Sequence, residues 1–564
     1  MTTHVLSILI FLPLFGILGL LFLQGDDHRT FRWVPIAVTT VQLLLSIYLF
    51  VAFKPEHFQF HSYDSLVYME KGNWFQLSLG NLGILSINYF LGVDGLNLSM
   101  ILLSAIVLFA GACASWNISK QPKGYHALYL LLCISIPGCF LALDLFLFFL
   151  FFEFMLLPMF FLIGIWGGAR REYASMKFFL YPLFGSILIL IVFIVLIIST
   201  YNPAEMMEYV PSNAGYSILD IQKFVHTGEL QDQSSIIHSL DLVQLSNPLN
   251  YLPNGLLGEN NTMLILGYSM RTWCFIALLI GFLIKLPAFP FHTWLPDAHV
   301  EAPTAVSVVL AGILLKIGGY GLIRIAWPLF PHEAAEASWW VGLIGVVTII
   351  YAALVALIQT DLKKMIAYSS VSHMGFVVLG LAAATTEGIT GAVYQMFSHG
   401  LISAVLFLLV GVLYDRTHDR MIPNYRGLIS KMPAYSVIVT IAFFASLGLP
   451  GMSGFIAEIL IFIGAFQATQ ITATIPTWMP IVATLGLLLS AAYYLWTLQR
   501  MFFGKFSTHA TIERTALTDI TFSEKALLYS LCGLIILFGL FPSLLLDKIG
   551  PSMEEWSSFF INMK

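Results

Sequence analysis

The sequence has little charge. Its 564 residues include 26 Lys+Arg and 31 Asp+Glu, so only 10% are charged, whereas a soluble domain carries about a quarter. Hydrophobic residues make up 58% of the chain and the mean hydropathy is +0.86. This composition excludes an ordinary soluble protein.

The sequence also lacks the usual signs of nucleic-acid, nucleotide and metal binding. A net charge of −5 with no basic run offers nothing to neutralise phosphates, which argues against nucleic acid as a partner. Neither a G-x-G-x-x-G turn nor a G-x-x-x-x-G-K-[ST] loop is present. The five cysteines form no C-x-x-C pair and are interpreted as core hydrophobes. We therefore expect no cofactor and no metal in this chain.

Long apolar runs are abundant, and roughly 20 such residues cross a bilayer as a helix. They predict an all-α polytopic membrane protein with about fourteen spans, the first of them at the N-terminus in place of a cleaved signal peptide. The predicted spans lie near residues 5–24, 34–53, 88–112, 125–142, 145–166, 174–199, 264–286, 303–326, 339–358, 364–384, 389–413, 435–467, 478–503 and 525–547.

Two spans are predicted to be broken helices. Three prolines fall between Pro287 and Pro296, and Gly448-Leu-Pro-Gly-Met-Ser-Gly454 interrupts a later span. Because the breaks are five spans apart, the pattern indicates two inverted five-helix repeats. The predicted units are residues 1–124, a first repeat 125–326 with an external insert 201–261, a second repeat 339–503, and a last span with its tail, 504–564.

Loop charges predict the orientation. Basic residues such as Lys120, Arg170 and Lys363 occur in the loops that follow odd-numbered spans, so these loops are assigned to the cytoplasm. The termini and the insert 201–261 are then external. The insert has one basic residue, Lys223, against seven acidic residues, which are Glu205, Glu208, Asp220, Glu229, Asp232, Asp241 and Glu259.

A few ionisable residues lie inside the predicted spans, where each costs about 2.5–3.5 kcal/mol on insertion scales. They are Glu153, Lys285, Lys316, His373, His399 and Glu458. A row of titratable groups across the bilayer can pass protons. The alternative for each carboxylate or lysine is a structural ion pair, and for each histidine a hydrogen-bonded core side chain.

Other polar residues near the spans are given structural interpretations. His292, Asp297 and His299 follow the first break and would suit a metal, but a capped turn is the preferred interpretation. Asp94 and Asp144 lie at span ends and are predicted to be helix caps.

Several segments carry a resemblance to a known family. They are Lys285-Leu-Pro-Ala-Phe-Pro-Phe-His-Thr-Trp-Leu-Pro-Asp-Ala-His299, Lys316-Ile-Gly-Gly-Tyr-Gly, Asp361-Leu-Lys-Lys-Met-Ile-Ala-Tyr-Ser-Ser-Val-Ser-His373, Gly92-Val-Asp-Gly-Leu and Ser398-His399-Gly. The chain resembles the proton-antiporter-like subunits of respiratory complex I over nearly its whole length. The likeness is greatest to the member with glutamate in the second broken helix, here Glu458, where the other members usually carry lysine. The insert 201–261 is longer than the family pattern.

The resemblance implies roles for these residues. Glu153 and Lys285 would pair in a first half-channel, Lys316 would connect it to the centre, His373 and His399 would bridge, and Glu458 would end the second half-channel.

The implied function is a non-redox, proton-translocating subunit of NADH:quinone oxidoreductase in the bacterial inner membrane. Flavin, iron–sulfur clusters and quinone reduction would then belong to partner subunits, with other membrane-arm subunits as neighbours. The alternatives are an Mrp-type cation/proton antiporter subunit or a membrane-bound hydrogenase subunit. A further hypothesis is a haem protein with His373 and His399 as ligands.

Overall fold

Long apolar helices make up most of the computed structural model, which describes residues 4–23, 28–55, 62–208, 216–227, 235–470, 473–510, 512–513, 515 and 517–562. Within these ranges, twelve helices are long and apolar enough to cross a membrane, by length and composition. Two interrupted helices bring the spans to fourteen, as predicted. Glu229 and Asp232, which were counted in the acidic insert, lie outside the described residues.

The helices before the first break are α1 (Val5–Phe22), α2 (His28–Ala52), α3 (Gly95–Ala114), α4 (Pro122–Leu141), α5 (Leu145–Phe154), α6 (Leu156–Trp166), α7 (Arg171–Ser199), α8 (Pro203–Glu208), α9 (Ile218–Thr227) and α10 (Leu242–Leu245). The next are α11 (Met270–Lys285), α12 (Trp294–Glu301), α13 (Thr304–Val309), α14 (Leu315–Gly321), α15 (Trp327–Leu329), α16 (Pro331–Leu357), α17 (Leu362–Ala383) and α18 (Thr386–Thr417). The last are α19 (Pro433–Ser446), α20 (Ser453–Ala468), α21 (Trp478–Phe502), α22 (Phe522–Leu540) and α23 (Ser543–Asn562).

Both predicted breaks are present. The first separates α11 from α12, and Pro287 and Pro290 stand in the gap. The second separates α19 from α20 at the glycine-rich segment 447–452. Each break occupies the fourth of the five spans in its predicted repeat. Non-helical backbone at this depth needs protein neighbours to satisfy it, so the breaks mark polar positions inside an apolar bundle.

The prediction of an all-helical fold missed a small sheet. Strands β1 (Val67–Ser78) and β2 (Ile84–Val93) form an antiparallel hairpin, and β3 (Ile237–Ser239) from the insert pairs parallel with β2. The remaining strands are two-residue pairs, β4 (Leu264–Ile265) with β5 (Tyr268–Ser269) and β6 (Tyr425–Arg426) with β7 (Ser507–Thr508). The predicted start of the third span at residue 88 is therefore wrong. The run 84–93 is rich in β-branched and aromatic residues, and an apolar run of that length fits a strand as well as a helix.

The cap assignments of Asp94 and Asp144 are confirmed. Asp94 accepts hydrogen bonds from the backbone N–H of Leu96 and Asn97, and Asp144 accepts from Phe146 and Leu147. Both carboxylates have a second partner. An arginine in span eight pairs with Asp94, and Asp144 Oδ2 accepts a hydrogen bond from the Asn88 backbone N–H at 3.3 Å. The backbone of Asp144 also bridges to that of Asp241 in the insert.

The predicted last span, 525–547, ends too late. α22 ends at Leu540, where Pro542 interrupts the chain, and a second helix, α23, follows in place of a tail. α23 packs against α3 and α18, and the Trp556 indole N–H donates to the Ile323 carbonyl at 2.9 Å. The C-terminal segment is therefore part of the bundle.

Candidate functional site

The centre of the site is a lysine–histidine contact between two buried helices. Lys316 Nζ lies 2.8 Å from His399 Nδ1 and also donates to the Ala311 carbonyl. Ala311 belongs to a π-helical turn, Leu310–Leu314, directly before α14. Wide turns of this kind free a backbone carbonyl and are frequent at functional sites. This turn therefore explains how Lys316, with no solvent exposure, is held in the apolar core.

Two histidines continue from this contact to a glutamate. The ring centroids of His399 and His373 are 5.5 Å apart, and His373 Nδ1 lies 3.6 Å from Glu458 Oε1. His373 is on α17, His399 on α18 and Glu458 on α20. We call Lys316, His399, His373 and Glu458 the buried row, since each residue is at most 5% exposed.

Hydroxyl groups missed by the sequence analysis extend the buried row. His373 Nε2 lies 3.3 Å from Ser446 Oγ, which is 2.7 Å from the Tyr494 hydroxyl. Tyr494 in turn donates to Ser369 Oγ at 3.0 Å. Ser446 is the last residue of α19 before the second break. Serine and tyrosine carry no formal charge in a span, so the hydropathy pattern gave no signal for them.

The second break shapes the space around Glu458. Gly448 has φ +76°, in the left-handed region that favours glycine. A methyl group at this position would overlap Glu458 Oε2. Glycine therefore serves the turn and leaves room for the carboxylate.

Glu153 and Lys285 form no ion pair within 4.0 Å in the described part of the chain. Lys285 is within electrostatic reach of Glu153, and its ammonium lies 4.0 Å from the Phe152 ring centroid. Neither Lys285 Nζ nor Glu153 Oε1 has a hydrogen-bond partner among the described residues. Pro158 lacks the N–H that would bond the Phe154 carbonyl, and the span is irregular there, between α5 and α6.

Span eight packs tightly against the first break and so connects the two halves. A Cβ on Gly318 would lie 2.6 Å from the backbone nitrogen of Leu286, the residue after Lys285. Lys316 is half a turn before Gly318 on the same helix, α14. Lys285 and the buried row are therefore interior, whereas Glu153 is only half-buried. The closest contacts among the predicted residues are those from Lys316 to Glu458.

Arg324 is a buried charge that the sequence analysis left out. It pairs with Asp94, and its Nε donates to the Tyr320 hydroxyl at 3.2 Å. Arg324 is 6% exposed and Asp94 1%. Arg324 lies two helical turns after Lys316, a spacing that places both on one face of a regular helix. We interpret this pair as structural, because both charges are satisfied within it.

A polar cavity of about 280 Å³ opens at the end of α3 where Ala114 lies. Glu301, Lys363 and Arg420 contribute charged groups to its wall. His299, next to this wall, is fully buried and stacks on Phe407 at 4.3 Å. Neither ring nitrogen of His299 has a hydrogen-bond partner among the described residues. Lys363 and Lys316 both lie within electrostatic reach of the ring, so His299 stands between cavity and buried row.

The preferred interpretation of the segment 292–299 as a capped turn is wrong. Asp297 makes an ion pair with Lys177 at 2.7 Å, and the N-cap Thr293 of α12 makes no side-chain cap. His292 packs between rings, 5.2 Å from Tyr351. Among the residues that the structure describes, no group of three His, Cys, Asp or Glu is placed to hold a metal ion.

The histidine contacts do not suit haem ligation. His399 Nδ1 faces the Lys316 ammonium, and His373 has Glu458, Gln395 and Ser446 around its two nitrogens. Two histidines that ligate a haem each direct an unpaired imidazole nitrogen toward the same iron. The nitrogens of His373 and His399 described above contact protein groups instead.

A multi-pass helical bundle with two broken helices and a buried row of ionisable side chains defines a class, the ion-translocating membrane proteins. The comparisons make this specific. The model of the family described as NADH:quinone oxidoreductase/Mrp antiporter, TM, matches residues 142–221 and 239–484. NADH-quinone oxidoreductase subunit M of Rhodobacter capsulatus is 38% identical over 561 residues, which cover 98% of this chain and 96% of that protein. The chain therefore belongs to the NADH:quinone oxidoreductase/Mrp antiporter family.

Solved structures agree with this assignment. A chain of respiratory complex I from Thermus thermophilus with bound NADH superposes with a TM-score of 0.75 at 26% identity, covering 98% of this chain and 99% of that one. A chain of the Mrp complex from Dietzia sp. has the same fold, with a TM-score of 0.70 at 19% identity, over 100% of this chain and 99% of that one.

Proposed function

We propose that the chain is a proton-translocating membrane subunit of an NADH:quinone oxidoreductase. Protons move through Glu153, Lys285, Lys316, His399, His373 and Glu458. The observation that carries this proposal is the contact of Lys316 with His399, continued through His373 to Glu458. The family includes both kinds of subunit, and the similarity to subunit M of Rhodobacter capsulatus favours this machine over an antiporter.

The geometry supports stepwise transfer. Lys316 and His399 share one short contact, so a second proton on this pair places two cations 2.8 Å apart and drives one proton onward. His373 receives it across the histidine pair, and the Glu458 carboxylate stabilises the resulting imidazolium. Each group thus has two protonation states whose balance depends on its neighbour.

The polar cavity supports an entrance from the cytoplasm. Its wall includes the ends of loops that carry Lys120, Arg170 and Lys363, the residues that predict the cytoplasmic side. We assign this end to the cytoplasm, and the termini and the insert 201–261 to the outside. His299 relays protons from the cavity to Lys316.

The energy for transport comes from other subunits. All six groups named for the path are carboxylate, ammonium or imidazole side chains, which exchange protons and no electrons. Flavin, iron–sulfur clusters and the quinone site are therefore assigned to partner subunits, and neighbouring membrane-arm subunits surround this chain.

The test uses the assembled complex in inside-out vesicles. Glu153→Ala and Lys285→Ala should each abolish NADH-driven acidification, and Glu153→Gln should do the same because it keeps the shape but cannot ionise. Glu336→Gln, at an exposed position of α16, is the matched control and should pump normally. Full pumping by both alanine variants overturns the proposal. A complex without NADH-reducible flavin and iron–sulfur signals points to the antiporter alternative.

A further inference from the structure

Lys363 is a buried cation in the wall of the polar cavity, and it is not among the six residues predicted for the proton path. It is the second residue of α17, at the end of the bundle assigned to the cytoplasm, and it is 6% exposed. Its ammonium donates to the Ala302 carbonyl at 2.6 Å. Because Ala302 directly follows α12, this bond places the ammonium beside the C-terminal end of the helix that carries His299.

Lys363 has carboxylates around it but is paired with none of them. The charged groups within its electrostatic reach are three carboxylates and one guanidinium, those of Glu301, Asp361, Asp415 and Arg420. Arg420 pairs with Asp361 at 2.6 Å. No ion pair within 4.0 Å joins Lys363 to a carboxylate in the ranges that the structure describes. The negative surroundings therefore attract a proton to Lys363 without a fixed counter-ion that would hold it there.

This arrangement lets the amine gain and lose a proton without moving. An ammonium has three N–H donors and a neutral amine has two, so the bond to the Ala302 carbonyl can persist in both states. Burying an ammonium without a paired counter-ion costs free energy, and release of the proton removes that cost. A lysine in such a site can act as a proton donor and acceptor.

The fully buried ring of His299 can accept this proton. Both of its nitrogens lack a hydrogen-bond partner among the described residues, and Lys363 and Lys316 lie within electrostatic reach of the ring. Lys363 is at the cavity, whereas Lys316 is twelve residues into span eight from Thr304, about 18 Å along the helix. His299 is therefore flanked by one lysine at the cavity and one in the core.

We propose that Lys363 takes up protons from the polar cavity and delivers them to His299. This inference rests on the proposed function, since it requires that protons enter at this end of the bundle. In each cycle an N–H bond of Lys363 breaks and an N–H bond forms on the His299 ring. The neutral amine then takes a proton from water in the cavity, and the hydroxide leaves to the cytoplasm. The cavity, at about 280 Å³, is many times larger than the roughly 10–15 Å³ that a single water needs.

The test compares three replacements of Lys363 in the assembled complex, with acidification and NADH oxidation recorded together in inside-out vesicles. Lys363→Arg keeps a positive charge and a donor, but a guanidinium does not release its proton. Its pumping should fall by about a hundredfold, a typical contribution of a positioned acid–base group. Lys363→Gln keeps a donor for Ala302 without titrating and should fall equally. Lys363→His fits Ala302 less well but titrates, so relative to wild type it should pump more than either, increasingly as the pH is lowered toward about 6.5.

Lys364→Arg, the same substitution at the next residue and at a partly exposed side chain, is the matched control and should pump normally. If Lys363 only holds the Ala302 carbonyl, the order of the variants reverses. Lys363→Arg or Lys363→Gln then pumps better than Lys363→His, which overturns the proposal. Should Lys363→Arg fail to assemble, the order of the glutamine and histidine variants decides.

Glu153→Gln, measured in parallel, separates this failure from a failure of the proposed function. If Lys363→Arg pumps at the wild-type rate while Glu153→Gln does not pump, only the role of Lys363 is wrong. If both variants pump at the wild-type rate, the proton path itself is wrong, and the role of Lys363 with it.

Discussion

At the scale of single residues, the members of the buried row have in common that each side chain can bind and release a proton. Lys316 and His399 lie at hydrogen-bond distance, and both side chains can hold the same proton. An ionisable side chain in an apolar run is conspicuous, so six residues were predicted for a proton path from sequence, and the structure brings four of them together in the buried row. His299 and Arg324 were missed or misread, since each stands near a predicted span end where a charge is ordinary.

Replacing His399 by glutamine separates proton transfer from structure. The glutamine amide can still accept a hydrogen bond from Lys316, but it does not titrate. We expect His399→Gln to assemble normally and to lower NADH-driven proton pumping by about a hundredfold, a typical contribution of a positioned acid–base group. Pumping is measured by acidification of inside-out vesicles.

Ser403→Ala is the control for His399→Gln. Ser403 lies one turn further on α18, is 1% exposed, and donates only to the Gly400 carbonyl. It should keep full pumping. If His399→Gln also pumps at the wild-type rate, His399 is a structural side chain.

Asp144 should make the attachment of the insert depend on pH. Burial first, and then the Asp241 carboxylate, raise the pKa of Asp144 from 3.8 to about 7, although three backbone N–H groups donate to it. The folded state therefore favours the protonated acid. The contribution of protonated Asp144 to the free energy of unfolding is complete below about pH 4 and is lost as the pH rises to about 7. The difference in the free energy of unfolding is on the order of 4 kcal/mol.

The measurement is hydrogen exchange of the backbone amides at residues 237–245, expressed as protection factors. These residues bond to the Asp144 region through Leu145 N–H to the Leu240 carbonyl and Leu242 N–H to the Leu143 carbonyl, both at 2.9 Å. Protection should fall between pH 4 and 7 in the wild type. In Asp144→Asn, which keeps the helix cap, protection should be constant over this range. A wild-type profile without pH dependence contradicts the prediction.

At the scale of elements, sequence patterns predicted what depends on local chemistry. Prolines and glycines marked both broken helices, because a missing N–H or a left-handed turn ends a helix wherever it stands. The hairpin of β1 and β2 was not predicted, because its partner β3 comes from the distant insert. The two π-helical turns of span eight, Leu310–Leu314 and Leu322–Ala326, also gave no sequence signal.

The second broken helix should not tolerate a side chain at residue 448. In Gly448→Ala the left-handed backbone costs roughly 1–2 kcal/mol, and the new methyl group pushes against Glu458. We expect lower thermal stability of the assembled complex and a clear loss of pumping. Gly533→Ala, in α22 with open space around it, is the control and should be neutral or slightly stabilising. Normal pumping by Gly448→Ala would show that Glu458 has room to move.

At the scale of the whole molecule, polar groups gather at two opposite ends of the bundle. α3 joins these ends over about 30 Å, from its cap Asp94 beside the sheet to Ala114 at the polar cavity. The insert attaches at the sheet end through Lys71 and Asp241, which pair at 2.7 Å. Loop charges predicted which segments lie at the same end of the bundle. The ion pair between Lys71 and Asp241 could not be predicted from the sequence, since the two residues are 170 residues apart.

The proposed orientation predicts which end a reagent reaches. Lys223, exposed on α9 of the insert, and Ser119, exposed in the loop after α3, lie at opposite ends of the bundle. In intact cells with a permeable outer envelope, a membrane-impermeant maleimide should label Lys223→Cys and spare Ser119→Cys. In inside-out vesicles the result should reverse. Four of the five native cysteines are buried and Cys113 is partly buried, so the wild-type chain sets a low background. Labelling of Ser119→Cys from outside would invert the orientation, and with it the direction in which the polar cavity supplies protons to His299 and the buried row.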